Sequence, residues 1–286
     1  MAQTIEFLKD QRIGARTGKL WLDPCRTGAA RAGFDPRWVS GYHGEVELLT
    51  LWGIGKDSNI QARKQHLAKG GHVINWDMGY LGRPHYARVS IDVDHPSHAL
   101  MENTEPDPSR WEHFGLKLYN VANPKGHVVV VGLGAKSRVQ FKNGDTWEQK
   151  ALLEAKARFP DRRIVYRPKP SKYEDKVQWE HRSEVESIYR LLQGASLVIC
   201  KHSNVAVDAC ISGVPVECDG GAALWLYNRC TTPTVAQRLD FLYRVCWWQW
   251  KLDDHDMEVG WKFLRTVLGS MSARAGIHSM AGLTSI

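Results

Sequence analysis

The sequence predicts an α/β protein built on doubly wound parallel sheet, and three observations carry that expectation. Short apolar runs that stop at Gly or Pro alternate with amphipathic stretches from about residue 45 onward. The strand–helix order repeats with the spacing of βαβ crossovers. Several runs, such as Val128-Val129-Val130-Val131, are apolar at every position, the pattern of a buried strand.

Each element follows from local chemistry. Val46 to Trp52 forms a strand that ends at Gly53, Asn59 to Lys69 a helix closed by Gly70-Gly71, and His72 to Trp76 the next strand. Residues 95–125, rich in Pro, Asn and charge and without a sustained period, form a long connection. A domain boundary is therefore expected near Pro124-Lys125-Gly126. After the Val128–Val131 strand, Asp145-Thr146-Trp147-Glu148 has the form of a capping box opening a helix that runs to Phe159. Arg163 to Tyr166 is a strand broken by Pro168 and Pro170, and Ser183-Glu184-Val185-Glu186 opens another capped helix. Leu197–Cys200 is a strand, Asn204–Ser212 a helix with Gly213 as its C-cap, and Val214–Glu217 a strand. From Thr234 onward the pattern is two helices and a weakly patterned tail. The expected domains are residues 1–125, 126–233 and a helical segment 234–286 packing back across a cleft.

Composition narrows the function classes. Of 286 residues, 43% are hydrophobic and 24% charged, the balance of a globular chain rather than a disordered or fibrous one. Mean hydropathy is −0.38 and no run of apolar residues reaches membrane-spanning length. The opening residues, Met1-Ala2-Gln3-Thr4-Ile5-Glu6, lack the basic and apolar succession of a secretory signal, so the expected location is the cytoplasm. Six cysteines without a C-x-x-C pair fit a reduced chain with no zinc cluster. Net charge is +7, and Lys136 to Lys176 alone holds 12 Lys or Arg against 6 Asp or Glu. Such a stretch is either a solvated face or an attraction to phosphate, of a nucleotide or of a nucleic-acid backbone.

Two segments carry candidate chemistry. Lys201-His202-Ser203-Asn204 lies between a strand and a helix, where open α/β sheets bind ligands and a helix N-terminus favours phosphate. Ser203 or Asn204 is expected to cap that helix as well. Gly132-Leu133-Gly134 follows the valine strand and permits close backbone approach to a ligand or a tight turn. His95-Pro96 falls in the N-terminal half and is expected to be a loop. Arg83, His85 and Arg88 follow the Asp77 segment, and the Cys246-Trp247-Trp248-Gln249-Trp250 cluster is expected to pack in a core.

Asp208-Ala209-Cys210-Ile211-Ser212-Gly213-Val214-Pro215-Val216 is similar to the carboxylate-Ala-x-x-x-Gly-x-Pro-Val signature of glycosyltransferases with two Rossmann-like domains, the GT-B fold. Leu51-Trp52-Gly53-Ile54-Gly55-Lys56, Trp76-Asp77-Met78-Gly79-Tyr80-Leu81, Tyr166-Arg167-Pro168-Lys169-Pro170 and His202-Ser203-Asn204 follow the motif order of bacterial capsule-polysaccharide Kdo transferases. The resemblance spans roughly residues 50–230 in order as well as identity. It implies a GT-B architecture and a nucleotide sugar (UDP- or CMP-linked) as co-substrate, with no bound cofactor and no metal. Asp77 stands where those enzymes keep a catalytic carboxylate, and Trp76 occupies the first acidic position of that motif. Lys169 stands where they keep a nucleotide-contacting His, and Asp208 where they keep a carboxylate on the ribose hydroxyls. The implied nucleotide-sugar site comprises Gly132, Gly134, Arg167, Lys169, His202, Ser203, Asn204 and Asp208. The implied acceptor side comprises Trp52, Lys56, Arg83 and His85. Size, charge and the absence of a membrane segment favour a hydroxymethylated pyrimidine in DNA as acceptor, as in phage DNA-modifying glycosyltransferases. The alternatives are a Kdo-like transferase of surface polysaccharide and a non-enzymatic nucleic-acid-binding protein.

Overall fold

The computed structural model describes residues 2–8, 22–53, 57–134, 137–138, 144–169, 177–183 and 187–281. The chain forms two compact units, Met1–Asp92 together with Gln249–Ile286, and Val93–Trp248. Strands and helices are numbered here in chain order.

The first unit holds β1 (Thr4–Leu8), β2 (Asp35–Val39), β3 (Leu48–Trp52), β4 (His72–Met78), β5 (Tyr86–Ile91) and β10 (Gln249–Lys251) in one sheet of order β10-β5-β4-β3-β1-β2. β2, β1, β3 and β4 are parallel neighbours, whereas β5 runs antiparallel to both β4 and β10. All five residues of β3 are buried, because helices cover both faces of the sheet centre. α2 (Asp57–Ala68) brings Ala62 onto the face that presents Leu8, Leu49, Leu51 and Val73. α1 (Leu22–Arg31) and α10 (Asp254–Ala281) pack on each other, and a Cβ at Gly28 would sit 2.6 Å from the Met257 backbone. Trp261 of α10 lies within 6 Å of the Phe7, Phe34 and Trp76 rings and donates its indole N–H to the Cys25 carbonyl at 2.7 Å. The segment expected to be helical thus includes a strand. β10 joins the sheet edge because β5 still has a free pairing side.

The second unit is a four-stranded parallel sheet of β6 (Val128–Val131), β7 (Ile164–Arg167), β8 (Leu197–Cys200) and β9 (Val216–Cys218) in the order β7-β6-β8-β9. Its helices are α5 (Gly144–Arg158), α6 (Ile188–Leu192), α7 (Val205–Ser212), α8 (Leu224–Tyr227) and α9 (Val235–Cys246). Ala151, Leu152 and Ala155 of α5 pack on Val128, Val130, Ile164 and Tyr166. α9 opens with a complete capping box between Thr234 and Gln237, and α7 closes at Gly213 with φ of 75°.

Two local expectations are corrected, and a third, the cap of α7, falls to Ser203. The connection 95–125 contains α3 (His98–Asn103), capped by Ser97 Oγ on Leu100 N, and α4 (Ser109–His113), both too short for a period to show. The helix expected from Ser183 begins at Ile188. Backbone bonds from Tyr166 N to His181 O and from Ser183 N to Tyr166 O hold residues 181–183 along β7 instead, and residues 184–186 lie outside those described. Asn204 occupies the N-cap of α7 without a side-chain cap bond, while Ser203 Oγ accepts from Val205 N at 3.3 Å.

Candidate functional site

In the second unit the strand order reverses at β6, with β7 on one side and β8 on the other. Such a switch point leaves a crevice at the carboxyl ends of the two strands that part there. The loops after β6, β7 and β8 deliver Gly132 to Gly134, Lys169, and Lys201 to Asn204 to this edge. Ser137 Oγ and His202 Nε2 are 3.0 Å apart, joining the loop after β6 to the loop after β8. A Cβ at Gly134 would lie 3.2 Å from the Lys169 Cδ, so the lysine stem runs against that glycine. Lys201 Nζ sits 5.8 Å over the Trp147 ring of α5. Lys169, His202 and Ser203 therefore share one edge of one sheet.

The loop after β6 is held from below. Glu148 of α5 is fully buried and accepts from Leu133 N at 2.5 Å, from Tyr166 Oη at 3.2 Å and from Arg138 Nη2 at 3.0 Å on both oxygens. A Cβ at Gly132 would meet Tyr166 Oη at 2.5 Å and Glu148 Oε1 at 2.9 Å, so only glycine fits above this cluster. Arg167 and Asp208 occupy the α7 face of the same sheet. Asp208 is buried and accepts from Tyr189 Oη at 3.1 Å. Burial holds the Arg167 guanidinium below its ordinary range, opposed by the Asp208 carboxylate. Cys200 and Cys218, paired across β8 and β9, are pushed up to about 12 and about 11 by burial, so neither thiol is a ready nucleophile.

Sequence reading missed four members of this edge. Ser137 and Arg138 carried no motif. Glu148 matched a capping box but serves as the buried anchor of the glycine loop, and the side chains of Asp145 and Thr146 lie outside those described. His95, expected in a loop of the N-terminal half, belongs to the second unit with its ring 6.4 Å from that of His202, edge to face.

In the first unit Asp77 lies near the end of β4, with its side chain 29% exposed. Its Oδ1 accepts from Met78 N at 2.8 Å and its Oδ2 from Arg88 Nη2 at 3.2 Å. Each carboxylate oxygen keeps a second lone pair, so a hydroxyl can still donate to it. Trp52 is buried beside Trp76 in the β3–β4 register, and its carbonyl accepts from Asn59 Nδ2. Arg83 donates to the Tyr80 carbonyl at 3.1 Å, and the His85 carbonyl accepts from Leu252 N. Lys56, with Ile54 and Gly55, lies outside the described residues, as do residues 136, 139–143 and 170–176 of the basic stretch. Among the described residues no three His, Cys, Asp or Glu side chains are grouped to hold a metal, and no helix is long and apolar enough to cross a membrane.

No protein-family model and no curated protein matches the sequence. Solved structures do. A β-Kdo 2,4 transferase of Thermosulfurimonas dismutans, KpsC, superposes with a TM-score of 0.55 at 11% identity over 88% of this chain and 92% of its own. The KpsC β-Kdo 2,7 transferase of the same organism gives 0.53 at 15% identity, over 92% of this chain and 99% of its own. The architecture is thus that of GT-B glycosyltransferases, with two Rossmann-like α/β units. The fold of this chain is similar to that of the two β-Kdo transferases.

Proposed function

We propose that this protein transfers a sugar from a nucleotide-sugar donor to a hydroxyl of a saccharide acceptor. The observation that carries the reading is the carboxyl edge of the second sheet, where Lys169, His202, Ser203 and the Gly132–Gly134 loop meet around a switch point. Cations, a hydroxyl and backbone amides on one such edge suit a sugar-linked phosphate. Asp208, beside Tyr189, offers carboxylate oxygens to vicinal ribose hydroxyls. Asp77 accepts the proton of the acceptor hydroxyl, which is too weak a nucleophile unaided. The similarity of fold to β-Kdo transferases supports the Kdo-like reading, with Kdo as the sugar transferred. The basic stretch between Lys136 and Lys176 supports the second reading, a hydroxymethylated pyrimidine in DNA.

The test is mass-spectrometric detection of transfer from CMP-Kdo, UDP-glucose, UDP-galactose and UDP-N-acetylglucosamine to two acceptors, a Kdo-terminated oligosaccharide and hydroxymethylcytosine DNA. Transfer to the oligosaccharide without DNA supports the saccharide reading, and transfer to DNA alone replaces it. Asp77→Asn should reduce transfer by about 10²–10⁴-fold with donor affinity unchanged, the range typical of a positioned general base. Near-normal turnover of that variant would remove Asp77 from the chemistry.

A further inference from the structure

Directly opposed residues on antiparallel strands present their side chains on the same face, and three such positions line up across β4, β5 and β10. Asp77 is opposite Arg88, and Arg88 is opposite Gln249. Arg88 Nη2 reaches Asp77 Oδ2 at 3.2 Å; Arg88 is 8% exposed, with its guanidinium 5.8 Å over the Tyr80 ring. Arg88 also hydrogen-bonds the Tyr80 phenol, whose pKa burial pushes up to about 12. Gln249 is fully buried, and its Oε1 accepts from both Tyr80 N at 2.8 Å and Leu81 N at 2.9 Å. Between them Gly79 N donates to Tyr86 O at 2.8 Å, and a Cβ at Gly79 would meet that same oxygen at 2.8 Å. Every residue from Asp77 to Leu81 is therefore tied to β5 or β10, Met78 by its pairing with Ala87 and the others by a hydrogen bond.

We infer that Arg88 and Gln249 are positioning residues for Asp77: Arg88 fixes the carboxylate's orientation, and Gln249, supplied from 169 residues downstream, fixes the loop that follows it. This rests on the proposed role of Asp77, and it gives the Trp-rich C-terminal segment a function beyond core packing. An Arg is suited to the task because one planar group can bridge a carboxylate and a phenol at once. Gln249 is fully buried and Arg88 nearly so, which leaves the Asp77 segment as the group through which both act.

The experiment combines a double-mutant cycle with a crystal structure. Arg88→Met should lower kcat about 10²-fold with donor KM unchanged, the scale expected when a catalytic group is misplaced by about 1 Å. Arg88→Lys should recover part of that loss, since a single cation–carboxylate contact is within its reach. In an Asp77→Asn background Arg88→Met should cost no further activity, while its effect on thermal stability persists. Gln249→Met should repeat the kcat loss, with raised hydrogen exchange at Tyr80 and Leu81. In the Arg88→Met crystal structure the Asp77 carboxylate should be rotated from its present orientation. An unrotated Asp77, or an equal loss of kcat in both backgrounds, would overturn the inference. Should Asp77→Asn itself turn over normally, the catalytic reading of Asp77 fails, whereas the rotation still decides whether Arg88 positions it.

Discussion

Replacing Glu148 with Ala removes the acceptor of three donors at once. Leu133 N–H and Tyr166 O–H are left buried beneath the glycine loop, each costing about 1–3 kcal/mol when unpaired. Arg138 loses its carboxylate partner, but its side chain is 19% exposed, so water screens much of that penalty. Interactions within one cluster are not additive, and the second unit should lose about 3–5 kcal/mol in total. Glu148→Gln keeps the shape and the Oε1 acceptor while exchanging a charged bond for a neutral one, and should lose about 1–2 kcal/mol. Hydrogen exchange at Val128–Val131 reads the opening of the second unit separately from the first. The Leu133 amide should turn from protected to fast-exchanging in Glu148→Ala before the strand itself opens. A loss below about 1 kcal/mol, the range of an ordinary surface substitution, would refute the assignment of Glu148 as the anchor of this loop.

Three further perturbations test the rest of the frame. His72 is held above its ordinary pKa by the hydrogen bond from Nδ1 to Asp92, partly opposed by burial. That stabilisation is complete below pH 6.5 and lost as pH rises through the folded value. Denaturation of the first unit across that window should show stability falling with pH, and His72→Phe should abolish the slope; a rise with pH would contradict the sign. Arg238, 3% exposed, donates to the carbonyls of Cys210, Ile211 and Tyr119 and to Asn120 Oδ1. Arg238→Met should cost the second unit about 3–5 kcal/mol by stranding the C-terminal carbonyls of α7, and a near-neutral result by calorimetry would show that water replaces it. Asn75 is buried with neither amide atom hydrogen-bonded among the described residues, so Asn75→Leu should stabilise the first unit by about 1–2 kcal/mol, and a loss of stability would mean that the amide has a partner in solution.

What the sequence revealed and what it hid divide along a physical line. β3, β4, β6, β7 and β8 were legible because each is an apolar run stopped by Gly, Pro or a polar turn, and a parallel sheet buries such runs on both faces. Once parallel order is granted, the positions just beyond the carboxyl ends follow, which is why Lys169, His202, Ser203 and Asp77 could be named from motifs and order. β5 was missed because Ala87, Val89 and Ile91 alternate with Arg88 and Ser90, a pattern of a strand with one wet face. All six of its residues are nevertheless buried, since the polar side meets Asp77 and β10 rather than water. β10 spans three residues in a Trp-rich stretch and acquires its meaning from pairing with β5, which no local period reports.

The same line separates the candidate reacting groups from the groups that hold them. Asp77 and His202 sit at predictable ends of strands, and Arg88 was singled out only as a basic residue after Asp77, but the bonds made by Arg88, Gln249, Glu148 and Ser137 are read from their partners. A charged or amide side chain inside a covered sheet is costly unless its hydrogen bonds are met, so its burial is itself evidence of a specific partner. In β5 that reasoning leads from an arginine with no motif of its own to the carboxylate opposite, and from there to the glutamine that closes the row. Polar residues within an otherwise covered strand therefore point to the candidate site as directly as the residues at its end, once the register is known.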